Sequence, residues 1–233
     1  MKARERLIVA LDVAEASAAR ALVDRLAGRV GLFKVGSQLF TAAGPGFVQE
    51  IVGLGEKVFL DLKFHDIPNT VAGAVSSASR LGVSLIDVHG LGGRAMLEAA
   101  VGALPAMQSR LLAITVLTSH DEDSLDQIGV GGSVHDSVRR LALLAKEANL
   151  DGVVASPHEV ALIREACGAD FLIVTPGIRP AGEAAGDQAR AATPATALAA
   201  GADYIVVGRP ITRAGDPAAA ADAIVRQMES AGP

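Results

Sequence analysis

Two rhythms alternate along the chain. Short apolar runs rich in Val, Ile and Leu, near 7–12, 31–36, 57–63, 85–90, 111–118, 152–156, 171–177 and 204–209, have the length and β-branched content of buried strands. Between them lie Ala- and Leu-rich segments near 15–27, 45–54, 70–81, 93–103, 134–148, 157–166, 194–200 and 217–229, where apolar positions recur at spacings of three and four and predict helices. Strands apolar on both faces belong to a parallel sheet covered by helices. Eight strand–helix units with no element left over predict a closed (β/α)8 TIM barrel, of the α/β class, over an open doubly wound sheet, with residues 1–233 forming a single domain.

Chemistry-bearing residues stand where the apolar runs stop: Asp12, Lys34, Asp61 with Lys63, His89, Thr118, Ser156, Gly177 with Arg179, and Gly208 with Arg209. In a parallel barrel those ends share one rim, the face on which such enzymes keep their active sites. Two connections are long, 119–133, which ends in Gly129-Val130-Gly131-Gly132, and 178–193. Within a compact barrel, such lengths mark lids or ligand loops.

Composition narrows the picture. Half the residues are hydrophobic but only 3% are aromatic, with Tyr204 the sole tyrosine, so the core is built from Ala, Val, Ile and Leu. The net charge is −5 and no stretch concentrates the basic residues, which argues against nucleic-acid binding. Asp12 interrupts the apolar run Leu7–Leu11 too early for a signal peptide, and nowhere do the ~18 consecutive apolar residues of a membrane span occur. The lone Cys167 cannot form an intrachain disulfide and fits a soluble protein of a reducing compartment, the cytoplasm.

The most informative stretch is Asp61 to Thr70, DLKFHDIPNT. Strand alternation sends Asp61 and Lys63 to one face while Leu60 and Leu62 take the other, and Asp66 falls just beyond the strand. A lysine between two carboxylates stays protonated and positioned, able to donate a proton. Plainer roles exist: Asp66 could cap the next helix ahead of Pro68, and Asp61–Lys63 could be an ordinary ion pair. Against the latter, charges on a barrel strand are costly to bury unless they serve something. Arg179 and Arg209 follow strands seven and eight, where barrels commonly bind phosphate and where Gly177 and Gly208 let backbone amides approach an anion. The five histidines are scattered rather than set at metal-ligand spacing, so no metal site is expected. His89 and Cys167 read as structural residues, and Ser156 as a cap for the helix near Pro157.

DLKFHDIPNT, together with Phe33-Lys34-Val35-Gly36, Val174 to Arg179, Asp187-Gln188 and Val207-Gly208-Arg209, resembles the bacterial-type orotidine 5′-monophosphate decarboxylase family over nearly the whole chain. The resemblance implies a cofactor-independent carboxy-lyase of pyrimidine biosynthesis that converts orotidine 5′-monophosphate to uridine 5′-monophosphate and CO2. It implies that Lys63 protonates C6 of the pyrimidine, that Asp61 lies against the substrate carboxylate, and that Lys34 and Asp66 complete a Lys-Asp-Lys-Asp network. Asp66 and Thr70 would come from the partner subunit of a homodimer. Asp12 and Lys34 would meet the ribose hydroxyls, Thr118, Pro176 and Gln188 the base and phosphate side, and Arg179, Gly208 and Arg209 the phosphate. With no conjugated electron sink for a C6 carbanion, electrostatics would have to stabilise it. Two rivals share features with this reading. A metal-dependent sugar-phosphate lyase would need carboxylates free for a divalent ion, which cationic Lys34 opposes. A non-catalytic nucleotide-binding barrel would not need the lysine between two aspartates.

Overall fold

The computed structural model describes residues 1–105, 109–180 and 192–230. Its strands are β1 (Leu7–Ala10), β2 (Leu32–Gly36), β3 (Val58–Phe64), β4 (Leu85–His89), β5 (Arg110–Ile114), β6 (Gly152–Val154), β7 (Leu172–Thr175) and β8 (Tyr204–Val207). They pair in sequence order, all parallel, and β8 returns to β1, so the sheet closes into a barrel with no free edge. The predicted barrel is therefore the observed one. Six strands stop short of their predicted ends by one to four residues, most of all β5 at Ile114 where 118 was expected, while β2 ends at Gly36 as predicted and β3 runs one residue further, to Phe64. Asp12, Thr118, Ser156, Gly177, Arg179 and Gly208 thus sit just beyond their strands, while Lys34, Asp61, Lys63 and His89 lie within β2, β3 and β4.

The helices are α1 (Ala16–Leu26), α2 (Ser37–Gly53), α3 (Pro68–Ser79), α4 (Gly93–Gly102), α5 (Glu122–Gln127), α6 (Val134–Glu147), α7 (Val160–Cys167), α8 (Pro194–Ala199), α9 (Arg209–Thr212) and α10 (Pro217–Glu229). Two of them correct the expectation that no element is left over. α5 lies inside the long 119–133 connection, started by Asp121 and Ser124, which cap each other reciprocally, and anchored by buried Leu125. α9 is a single turn directly after Gly208. Both are too short for a period to register. α2 starts at Ser37, not 45, and Gly44 breaks it with φ +70° before Pro45 restarts it, so the predicted 45–54 segment is its second half. Among the described residues, no helix is long and apolar enough to cross a membrane.

The core has two layers. The outer one, between sheet and helices, contains Val9, Phe33, Leu60, Ile86 and Val88. The inner one fills the barrel with Ile8, Ala10, Leu32, Phe59, Leu85, Leu112, Leu172, Val174 and Val206. Phe59 is the only ring in that inner set, as the aromatic-poor composition requires. Ala10, Phe59, Val154 and Val206 also line the cavity above. The packed interior ends as the floor of the site, and one interior step above Ala10, Leu32, Phe59 and Leu85 stand Asp12, Lys34, Asp61 and Asp87.

Candidate active site

A cavity of about 440 Å³ opens where the strands end. From the first three strands and their loops it takes Asp12, Lys34, Asp61 and Lys63; Thr118 enters above β5; Pro176, Gly177 and Arg179 follow β7; Gly208 and Arg209 follow β8. Register explains the first group. Ala10 pairs with Lys34, Lys34 with Phe59 and Gly36 with Asp61, which brings Lys34 and Asp61 close on neighbouring strands. A Cβ on Gly36 would stand 3.1 Å from the Lys34 ammonium, so the glycine leaves that nitrogen its place.

Charge alternates through the group. Lys34 Nζ lies 3.1 Å from Asp12 Oδ1 and 3.1 Å from Asp61 Oδ2, and Lys63 Nζ pairs with Asp61 Oδ1. Side-chain exposure is 11% for both Lys34 and Asp61 but 37% for Lys63, so all three line the cavity and Lys63 is the most open to it. Burial by itself would lower Lys34, yet the carboxylates of Asp61 and Asp12 outweigh it and hold the ammonium above its ordinary value. Burial would likewise raise Asp61, but Lys34, a hydrogen bond with Asp87 and Lys63 together hold it below the usual carboxylate range.

Strand alternation fails at Lys63. Its φ is +50°, and the β3–β4 pairing is irregular between Leu60 and Phe64. For a non-glycine residue this left-handed conformation costs roughly 1–3 kcal/mol and persists only where neighbours enforce it. One enforcing contact is the Lys63 backbone N–H, which donates to Asp87 Oδ1 at 2.7 Å. Asp87, fully buried on β4, is the main residue that sequence reasoning missed. The signal was an acidic residue inside an otherwise apolar strand, but its neighbours depend on register. Arg213, just after α9, also lines the cavity and was missed.

The second carboxylate expected beside Lys63 does not reach it within the chain. Asp66 is exposed and its Oδ1 accepts the N–H of Ile67 at 2.6 Å. It is not the helix cap either: Ile67 holds that position, without a side-chain hydrogen bond. Thr70, in the first turn of α3, is exposed and outside the cavity. Gln188 and Asp187 lie outside the described residues.

At the other side of the mouth, Gly177 takes φ +79° and Gly208 precedes the α9 turn that begins with Arg209. The backbone N–H of Arg179 donates to the Ala192 carbonyl at 2.9 Å, tying the base of the 178–193 connection together. Arg179, Arg209 and Arg213 thus bring guanidinium groups to the ends of β7 and β8, a charge suited to an anion. Ser156 combines two roles, capping the turn at Pro157 and lining the cavity. His89 is structural: its Nδ1 accepts the Leu91 N–H at 3.3 Å and its ring stacks on His65. Burial first, then the charges of His65, Lys63 and His120, lower it to about 4. Among the described residues, no cluster of three or more His, Cys, Asp or Glu is gathered as metal ligands would be.

The chain is similar to known proteins over nearly its whole length. The model of the Orotidine 5′-phosphate decarboxylase / HUMPS family matches residues 5–224. A protein of Halorhodospira halophila named Orotidine 5′-phosphate decarboxylase is 57% identical, with 97% of each chain covered. One of the same name from Moorella thermoacetica is 54% identical over 98% of this chain and 94% of its own length. Among solved structures, the Orotidine 5′-phosphate decarboxylase of Lactobacillus acidophilus superposes with a TM-score of 0.84 at 40% identity, covering 95% of this chain and 98% of that one.

Proposed function

The chain belongs to the Orotidine 5′-phosphate decarboxylase / HUMPS family, and we propose that it is a carboxy-lyase converting orotidine 5′-monophosphate to uridine 5′-monophosphate and CO2, with residues 1–233 acting as one catalytic domain. The observation that carries this reading is the Asp12–Lys34–Asp61–Lys63 chain of alternating charges at the mouth of a cavity whose far side carries Arg179 and Arg209. The arginines and the Gly208 backbone bind the phosphate, Asp12 and Lys34 the ribose, and Thr118, Pro176 and Gln188 the base side. That anchoring sets the pyrimidine over Lys63.

In the chemical step the bond between C6 and the carboxylate carbon breaks, CO2 leaves, and the electron pair remains on C6. The Lys63 ammonium stabilises that developing charge and then transfers its proton to C6, and the neutral amine recovers a proton from solvent. Asp61, kept anionic by two lysines, orients Lys63 and crowds the substrate carboxylate. No cofactor takes part. The metal-dependent alternative is disfavoured by position, because the Lys34 ammonium already stands 3.1 Å from each of the two carboxylates a divalent ion would use. Asp66 and Thr70 act in the partner's site of a homodimer, a role supported by their exposure outside their own chain's cavity.

The test follows loss of the orotate absorbance with orotidine 5′-monophosphate in the presence of a chelator. Turnover indifferent to the chelator is expected. Folded protein with no turnover overturns the proposal, and turnover abolished by the chelator transfers it to the metal-dependent reading.

A further inference from the structure

Leu60 pairs with Ile86 and Phe64 with Val88 across β3 and β4, so Asp87 stands opposite the irregular stretch from Asp61 to Lys63. Leu85, two residues before Asp87, belongs to the inner layer, which places Asp87 on the interior face immediately above it. Asp87 has no exposed surface. One oxygen accepts the Lys63 backbone N–H, and among the described residues no N–H or hydroxyl donor reaches the other. The carboxyl of Asp61 lies within hydrogen-bonding range of the Asp87 carboxyl. Two carboxyl groups can share a hydrogen bond only if one carries a proton.

We propose that Asp87 is a positioning residue for the decarboxylation, a neutral carboxylic acid that donates its proton to Asp61 while accepting the Lys63 backbone N–H, and so fixes both members of the ion pair from beneath. Charge balance decides which aspartate holds the proton. Lys34 and Lys63 are already matched by Asp61 and Asp12, and both lysines contact Asp61. A charge on Asp87 would be a third carboxylate, supported by the Lys63 backbone amide and by an ammonium already paired with Asp61. The charged groups facing it are Asp61 and Lys63 of β3, while β5 offers apolar Leu112 as its register partner. Burial, and then the Asp61 charge, push the Asp87 carboxyl well above the ordinary range. Asp87 ends the reaction as it began, and its effect is to keep Asp61 anionic and the Lys63 backbone in its left-handed turn.

The proposal rests on the decarboxylase reading for its kinetic consequence, and two measurements separate the failures. Asp87→Asn keeps a donor for Asp61 and an acceptor for the Lys63 amide; Asp87→Leu removes both at similar volume. Asp87→Asn should stay within about threefold of parental kcat, whereas Asp87→Leu should lose about tenfold to a hundredfold in kcat with little change in KM, the range a hydrogen bond to a charged group supplies. An Asn variant as impaired as the Leu variant, or a Leu variant with parental kcat, overturns the role. Infrared difference spectra need neither turnover nor the Leu variant. The parent at neutral pH should show the carbonyl stretch of a buried protonated carboxyl, sensitive to deuteration and missing from Asp87→Asn. Its absence from the parent, or its persistence in the Asn variant, overturns the protonation whatever the substrate proves to be. A parent without turnover that shows the band sinks only the decarboxylase reading.

Discussion

Lys63 is constrained at both ends, its ammonium paired with Asp61 and its backbone held in the left-handed region by the contact to Asp87. Because its proposed work is done on the developing carbanion, Lys63→Ala should abolish turnover while leaving uridine 5′-monophosphate binding measurable by calorimetry. Activity within about tenfold of the parent would contradict that role. Arg209→Ala should instead raise KM and lower kcat/KM for the phosphorylated substrate, since its proposed role is to anchor the phosphate; an unchanged kcat/KM would remove it from the site. Asp87 adds a pH signature. An aspartate in the unfolded chain ionises near ~3.9, whereas folded Asp87 keeps its proton well above that. Over the interval the folded state binds more protons, so this residue's contribution to stability is full below the unfolded value and is lost as pH rises. Asp87→Asn lacks that loss. Its Tm relative to the parent should therefore climb between about pH 4 and pH 7, and a difference independent of pH would show that Asp87 ionises normally.

At the scale of elements, the site depends on strands held at fixed register. The three-residue strand β6 is the shortest link in the barrel and begins at Gly152, which pairs with Leu112 on one side and Leu172 on the other. A Cβ there would stand 2.2 Å from the Leu172 carbonyl oxygen and 2.5 Å from its Cβ, contacts that only a shift of β6 against β7 can relieve. Gly152→Ala should cost about 1–3 kcal/mol, as overpacking of a filled interior does, and lower Tm by roughly 2–4 °C per kcal/mol in a domain of this size. A melt at the parental temperature would mean that the strands separate without penalty. The irregular β3–β4 pairing shows the opposite use of register: the ladder is interrupted at one place, beside Lys63, where the turn directs a charged side chain into the cavity.

For the whole molecule, the proposed homodimer makes a prediction of its own. Asp66 and Thr70 sit outside their own cavity, and next to Asp66 the residue Ile67 is 66% exposed, an apolar surface of the kind subunit contacts cover. In a symmetric dimer two inactive variants can restore one intact site. In the proposed homodimer a chain with Asp66→Asn would keep its lysine and receive Asp66 from a Lys63→Ala neighbour, while the other site would carry both lesions. Refolding equal amounts together should return about a quarter of all sites to parental activity; heterodimers detected by mass but without any gain would place Asp66 in its own chain's site or in none. Much of this protein was legible in its sequence. Apolar runs separated by helical periods require a parallel barrel, because strands buried on both faces need helical crossovers, and the rim residues from Asp12 to Arg209 follow from where those runs stop. The motif also placed Asp61 and Lys63 in the site, although their separation along the strand could not reveal the left-handed turn between them and Phe64. Only the tertiary structure decided which carboxyls meet which lysines. Asp87 touches Lys63 and Asp61 because β3 and β4 lie side by side with Leu60 opposite Ile86, and one residue of slip would turn Asp87 toward the helices. Periodicity along a chain reports which way a side chain faces, whereas the neighbours it meets are set by register between strands distant in sequence, which no local pattern encodes.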